Sequence, residues 1–362
     1  MTAADLRVEI AVLGAGVAGA AIAWELAGRG RRVALLASPD DALAPGLGHV
    51  LTGPGEPYVQ AVRRLGRDAA RTAWECGREN GDRLRGFVEG RPGSCGYERR
   101  GGFLLAGDRA EGMALADSED MLRDDGFPGE FLDHYMLEAR FDVSGFAGAY
   151  WAADDAEVDP ARLVVALSAA AAERGAQVRP PVHPPVVELD ASGAAIWGPA
   201  GRVRADWLVV ATDALPDSVA PFVEAPVRRE AVHGLTAALT PGPALPSPAR
   251  TADGALAWQV AGERLVAAAP APGGPPVPPG LAERLHARPG SATAWEARVG
   301  RSPDGRPLIG LLPARPLALA SGFGGLAPSL AFMAARWIGE ALTLGEDPTP
   351  GVFRASRTPG EV

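Results

Sequence analysis

Apolar positions form short unbroken runs near both ends of the chain and looser alternating stretches between them. Val8–Leu13 reads as a buried strand, Ala20–Ala27 as an Ala-rich helix stopped by Gly28 and Gly30, and Val33–Ala37 as a second buried strand. This strand–helix–strand unit has the length of about 30 residues that such a crossover requires. Val59–Phe87 reads as helices, Arg99–Leu105 as a strand, and Gly107–Ala139 as mostly helical with polar loops. In "VDPARLVVALSAAAAERGAQV", Asp159 is a good N-cap, Pro160 a good first-turn residue and Gly175 a good stop. Four short strands are expected from there to Val210, and a second run of strands over Val227–Ala269. The Pro-rich "PGPALPSP" and "PAPGGPPVPPG" read as loops. A strand at Leu317–Ala320, the turn "SGFGG" and a helix from about Ser329 to Leu344 close the pattern. The fold class is therefore α/β plus α+β: a Rossmann-like nucleotide fold assembled from distant segments, with an antiparallel-sheet block between them.

Composition narrows the chemistry. The 362 residues are 47% hydrophobic and 22% charged, enough for one large core or two coupled ones. A net charge of -9 gives no basic footprint for nucleic acid or an anionic membrane. The two cysteines, Cys76 and Cys95, lack redox-pair spacing, and a reducing cytoplasm suits them. All 35 Lys-or-Arg positions are Arg. A P-loop and a Schiff-base enzyme both need Lys, so both readings fall. The polar, net acidic "MTAADLRVEI" is unlike a signal peptide. Ile10–Leu26 is interrupted by Gly14, Gly16, Gly19 and Glu25, so it is no membrane span.

The segment "GAGVAG" carries the clearest chemistry. Gly14 permits a tight turn, Gly16 a close approach of backbone to a pyrophosphate, and Gly19 close helix packing. The helix that follows offers free N–H groups and a positive dipole end. An acidic residue normally ends the second strand and accepts the ribose hydroxyls; Ala37 stands there. Ser38 offers one replacement hydrogen bond, and Asp40 or Asp41 a carboxylate that would have to curl back. The loss costs roughly 1.5–3 kcal/mol, which a large ligand with many other contacts absorbs.

With "GAGVAGAAIAWELAGRGRRVALL", "YERRGGFLLAGD", "VDPARLVVALSAAAAERGAQV", "RADWLVVATDA", "PVRREAVHG", "SPDGRPLIG" and "LASGFGG" in this order, the sequence resembles the D-amino acid oxidase-like flavoproteins, the family of glycine oxidase and sarcosine oxidase. The resemblance implies bound FAD in a domain of residues 1–85, 150–225 and 300–362, and a substrate domain of residues 86–149 and 226–299. It carries cofactor contacts onto Gly14, Gly16, Val17, Ala18, Gly19, Ser38, Gly48, Val187, Ala211, Gly322, Phe323, Gly324, Gly325 and Leu326. It places "GFGG" against the flavin ring, with the next helix pointing its N-terminus at the ring edge where charge accumulates on reduction. Departures from the family pattern are Asp213 and Ala327, where Gly is usual. Asp213 reads as a cap for the next helix or as a change in flavin packing. The Cys that would tether the flavin is absent from "WEARVG", so the FAD is expected to be noncovalent.

On the substrate side, the family's carboxylate-clamping Arg aligns with Val299. Strand alternation puts Arg301 on the same face as Val299, with Arg298 and Gly300 pointing away. Arg301, His49 near the flavin ring and His233 on the substrate sheet are the candidate catalytic residues; His134, His183 and His286 read as surface or loop residues. No spacing suggests a metal. The implied reaction is hydride removal from the carbon beside an amine nitrogen of a small amine or amino acid, giving an imine. It rests on positioning rather than on a general base. A dehydrogenase that passes electrons to a carrier, and an eroded binding subunit, are the alternatives.

Overall fold

The computed structural model describes residues 5–37, 47–91, 93–180, 186–198, 201–224, 227–241, 245–270 and 285–357. Up to residue 160 the elements are β1 (Leu6–Leu13), α1 (Val17–Gly28), β2 (Val33–Leu36), β3 (His49–Val50), α2 (Tyr58–Leu65), α3 (Arg67–Glu89), β4 (Gly102–Ala106), α4 (Arg109–Asp124), β5 (Gly129–Asp133), α5 (His134–Phe141), β6 (Gly148–Ala152) and β7 (Ala156–Glu157). There follow α6 (Pro160–Glu173), β8 (Gln177–Arg179), β9 (Val186–Asp190), β10 (Gly193–Gly198), β11 (Gly201–Val210), β12 (Arg228–Ala238), β13 (Ala249–Thr251), β14 (Ala257–Ala261), β15 (Arg264–Pro270), β16 (Thr293–Arg301), β17 (Leu308–Leu311), β18 (Leu317–Ser321) and α7 (Ala331–Leu344). Packing divides them into two units. The first gathers the described residues of 1–43, 161–229 and 298–361, the second those of 44–160 and 230–297.

The first unit holds a sheet of order β17-β18-β11-β1-β2-β8, with β10 and β9 added as an antiparallel ribbon on β11. All pairs along its main path are parallel except β17 with β18. Its central strands are buried on both faces, as parallel strands under two layers must be: Ile10–Leu13, Val33–Leu36 and Leu208–Val210 are each at most 1% exposed. Helices α1 and α7 pack together, with Trp24 edge-on to Phe332 at 6.0 Å. The register sets Leu13 opposite both Leu36 and Val210, so the carboxyl ends of β1, β2 and β11 finish level. In such sheets ligands bind beyond those ends.

The second unit holds a sheet of order β16-β12-β15-β14-β13-β4-β6-β5, in which β13 and β4 run parallel. Phe103, Leu105, Leu132, Ala149, Trp258 and Leu265 form its core with Leu137 of α5. The α/β plus α+β class read from the pattern is the class observed. Two details differ. Residues 129–133, expected within a helical stretch, form the strand β5, which pairs with β6. Residues 44–85 and 150–160 pack in the second unit rather than the first, because β3 pairs with β7 and α2 packs on α3 and α4, while residues 227–229 and 298–299 pack in the first rather than the second.

Candidate nucleotide site

The site in the first unit starts at the turn after β1. Gly14 has φ +105°, and a Cβ there would lie 2.7 Å from the Ala211 carbonyl carbon and the Thr212 nitrogen. Only glycine fits that conformation and that approach. A Cβ on Gly19 would lie 1.8 Å from the Gly14 oxygen, so α1 is seated directly on the turn. Gly16 precedes the helix in extended conformation, and no side chain caps it. The first N–H groups of α1 therefore have no N-cap side chain to accept from them, and the positive end of the helix dipole borders the cavity.

Gly16, Val17 and Ala18 line a cavity of about 170 Å³, which is bounded on its other sides by Ala211–Ala214, Arg229, Arg298, Phe323 and Ala327. Thr212 in that wall is 5% exposed, and its hydroxyl has no hydrogen-bond partner among the described residues. Buried polar groups are normally satisfied, so an orphan beside a cavity marks a place for a ligand. The donor set is backbone amides, one hydroxyl and two guanidinium groups, which is chemistry for a phosphate-bearing ligand.

The turn after β18 forms the remaining wall. Gly322, Gly324 and Gly325 have φ of +77°, +60° and +89°. The backbone N–H groups of Phe323, Gly324 and Gly325 act together on one carboxylate, as in an anion nest. The anion in it is the Asp213 carboxylate. Oδ1 accepts from Phe323 N–H at 2.7 Å and Oδ2 from Gly300 N–H at 2.9 Å, while the Asp213 carbonyl accepts from Gly322 N–H at 2.9 Å. Burial pushes the carboxyl up to about 6, against the pull of the N–H groups of Gly300, Phe323, Gly324 and Gly325. Asp213 thus caps no helix; the next helical piece is the short 3-10 turn Ala220–Phe222.

Comparison with known proteins decides the ligand. A family model described as FAD dependent oxidoreductase, DAO, matches residues 9–341. The chain belongs to this FAD-dependent oxidoreductase family. Among solved structures it is similar to glycine oxidase from Geobacillus kaustophilus, with 22% identity and TM-score 0.77 over 98% of this chain and 99% of that one. It is similar to L-proline dehydrogenase from P. horikoshii, with 15% identity and TM-score 0.77 over 96% of each chain. It is also similar to iminodiacetate oxidase from Chelativorans sp. BNC1, with 19% identity and TM-score 0.70 over 94% and 97%. No curated protein sequence matches the chain.

For this oxidoreductase the structure gathers most of the expected cofactor residues. Gly14, Gly16, Val17, Ala18, Gly19, Ala211 and Phe323 surround the cavity or build its turn, and Gly322, Gly324, Gly325 and Leu326 form the opposing turn. Val187 on β9 is 7% exposed, pairs with Ile196 and belongs to the apolar core of this unit rather than to the cavity wall. Ser38 lies outside the described residues, as does His183.

Val299 and Arg301 do share a face: Gly325 looks onto Val299 and Gly324 onto Arg301, whose guanidinium is 3.4 Å from the place of a Gly324 Cβ. The cavity takes the other face. A Cβ on Gly300 would sit 1.8 Å from the Asp213 oxygen, so the side of β16 bearing residues 298 and 300 is pressed on the 211–214 wall. Arg298, expected to point away, lines the cavity, and Arg301 does not. Arg229 lines it too, with one N–H on the Leu215 carbonyl at 3.3 Å. Sequence reasoning missed Arg229, Arg298 and the role of Asp213.

The remaining candidates belong to the second unit. His49 is 1% exposed, with Nε2 3.0 Å from the Trp258 carbonyl oxygen. Burial, with help from the Arg250 charge and against that hydrogen bond, lowers it to about 3. The ring is therefore neutral and donates from Nε2. Its observed task is to tie β3 to β14, where the resemblance had placed it as a candidate catalytic residue near the flavin ring. Gly48 belongs to the same seam: its N–H donates to Gln259 Oε1, and a Cβ would meet the Val158 oxygen at 1.9 Å. His233 stands opposite Ala269 on the side of β12 that bears the core residues Leu235 and Ala237. This unit also encloses a cavity of about 50 Å³ beside Tyr58, Trp74, Tyr150 and Asp155. Among the described residues no three His, Cys, Asp or Glu side chains form a metal site, and no helix is long and apolar enough to cross a membrane.

Proposed function

We propose that the protein oxidises a C–N bond of a small amine or amino acid to the imine. The observation that carries this is the Gly14–Gly19 cradle with an open helix end, an orphan Thr212 hydroxyl and a Gly-rich facing turn, in a chain of the FAD-dependent oxidoreductase family. Similar structures act on glycine, L-proline and iminodiacetate by their names, all amines that also carry carboxylate.

The amides of Val17 and Ala18 would hold the diphosphate, Thr212 would donate to it or to the adjoining chain, and Phe323 would pack on the ligand's flat part. When bound, FAD would supply the acceptor for the hydride, which carries both electrons. The chain's own residues position the amine, exclude water and balance charge. Arg298 and Arg229 bring positive charge to a cavity that otherwise holds Asp213 and backbone. No base is assigned: an amine that enters neutral needs none, and the neutral His49 ring is committed to Trp258. The cofactor is noncovalent, because neither Cys76 nor Cys95 lines the cavity and both are buried.

The test is the spectrum of the purified protein. A flavin spectrum that bleaches under anaerobic addition of an amine or amino acid is expected, with all flavin released into the supernatant by acid precipitation. A protein that takes up no FAD sinks the cofactor assignment. A flavin that no amine reduces sinks the reaction, and flavin retained in the pellet sinks the noncovalent link.

A further inference from the structure

The nest of the 322–325 turn is where an anion-binding loop would receive charge from a ligand. Here its donors are already engaged. Phe323 N–H and Gly300 N–H reach the two oxygens of Asp213 at 2.7 and 2.9 Å, from segments 110 and 87 residues further along the chain. Three more bonds lock the same junction: Gly322 N–H to the Asp213 carbonyl, Gly324 N–H to the Gly300 carbonyl, both at 2.9 Å, and Ser321 Oγ to the Thr212 carbonyl at 2.7 Å. Asp213 thereby joins three pieces of cavity wall, the 211–214 segment, the end of β16 and the Gly-rich turn. The turn contains three left-handed glycines, which have little conformational preference of their own, so an anchor is needed to hold it in one shape.

We propose that Asp213 is a positioning residue: its carboxylate is the built-in anion of the 322–325 nest and holds that turn as the wall of the cofactor cavity, in place of an anion brought by the ligand. The cofactor half of this statement rests on the FAD reading above; the half that concerns the turn does not. The charged groups around the carboxylate are Arg298 from β16 and Arg229 from β12, which line the same cavity, and Arg301, which lies beside Gly324. The first turn of α1 and the Gly-rich turn bring no charged side chain. Above a pH of about 6 the carboxylate is ionised and the nest is filled; below it a proton replaces one accepted hydrogen bond.

The experiment compares the intact protein with Asp213→Ala and Asp213→Asn, each with sodium formate or with sodium chloride at equal ionic strength. Two readouts are taken: amide hydrogen exchange of the peptide spanning 322–326, and FAD affinity of the apoprotein. Ala leaves a hole the size of a small carboxylate, whereas Asn fills it and sets an NH₂ against an N–H donor. Both variants should exchange faster at 322–326 and bind FAD about tenfold or more weakly, the effect of one buried donor left unsatisfied. Formate should reverse both changes in Asp213→Ala and neither in Asp213→Asn. Wild-type exchange in Asp213→Ala, or exchange that formate does not slow, overturns the proposal. If the Ala variant does not fold, Asp213→Asn decides, and unchanged exchange at 322–326 overturns the proposal. A wild-type protein that binds no FAD strikes the functional reading and leaves the exchange result to judge Asp213. Wild-type FAD affinity retained in both variants strikes the cofactor half alone.

Discussion

Ala37 closes β2 at the level of the helix opening, where the sequence pattern calls for an acid. A carboxylate restored there would accept the ribose hydroxyls with charge-assisted bonds. Ala37→Glu is expected to tighten FAD binding to the apoprotein by roughly tenfold. Unchanged or weaker affinity in a fluorescence titration would show that another group already serves the ribose. At this scale the glycines were legible and the charges were not. Gly14 and Gly19 announce themselves because no other residue fits a φ of +105° or a gap of 1.8 Å. Asp213 stands out only as an acid where Gly is usual, and its bonding role gives no such sign. Its partners are Gly300 and Phe323, whose backbone amides carry no side-chain signature and lie far along the chain. Arg298 was misplaced by a simpler cause: alternation says which residues of β16 share a face, and only the packing of Gly300 on Asp213 says which face meets the cavity.

Helix α6 was legible from its own caps, Asp159, Pro160 and Gly175, and α4, read only within the mostly helical stretch Gly107–Ala139, carries a cap of the same kind. Asp108 accepts from Glu111 N–H at 2.9 Å, while the Glu111 carboxylate accepts from Gly107 N–H at 2.7 Å, a reciprocal cap three residues wide. Asp108→Ala is expected to cost about 1 kcal/mol, visible as a midpoint lowered by a few degrees in thermal unfolding. Because the Asn side-chain oxygen can still accept from Glu111 N–H, Asp108→Asn should recover most of the loss. A midpoint equal to wild type for the Ala variant would mean that water satisfies the helix end as well as the carboxylate does. The strand β5 failed the same kind of reading. "GEFLD" offers only one alternation of apolar and polar residues, and its strand state comes from pairing with β6, with Leu132 opposite Ala149. The grouping of α2 and α3 was likewise invisible locally. Both helices carry their own amphipathic pattern, but their place comes from α2 packing on α3 and on α4, which in turn packs on β4, β5 and β6.

Across the whole molecule, three buried ionisable groups pull the pH dependence of stability in opposite directions. Burial holds Asp155 up at about 6, against hydrogen bonds from Thr52, and Asp213 is likewise at about 6. Each binds its proton in the folded state before it would in the unfolded chain, whose carboxyl value is 3.8. Their contribution is full below that value and is lost as pH rises through 6. His49 runs the other way. It stays neutral down to about 3 when folded but takes a proton near 6.5 when unfolded, so its contribution is present above 6.5 and is lost as pH falls. Each proton difference has a limiting slope of about 1.4 kcal/mol per pH unit. Between pH 6 and 4 two gains oppose one loss, and a shallow net stabilisation by acid is expected from this set. His49→Gln isolates the opposing group, because its amide N–H can still donate to the Trp258 carbonyl while nothing there titrates. The variant should be less stable at pH 7 through imperfect packing, yet its stability should rise more steeply than wild type as pH falls from 5.5 to 4, by about 1.4 kcal/mol per unit. All other groups contribute equally to both proteins and cancel in the comparison. Parallel profiles from chemical denaturation at matched ionic strength would mean that His49 ionises in the folded state near its ordinary value, and that the ring is not sealed between β3 and β14.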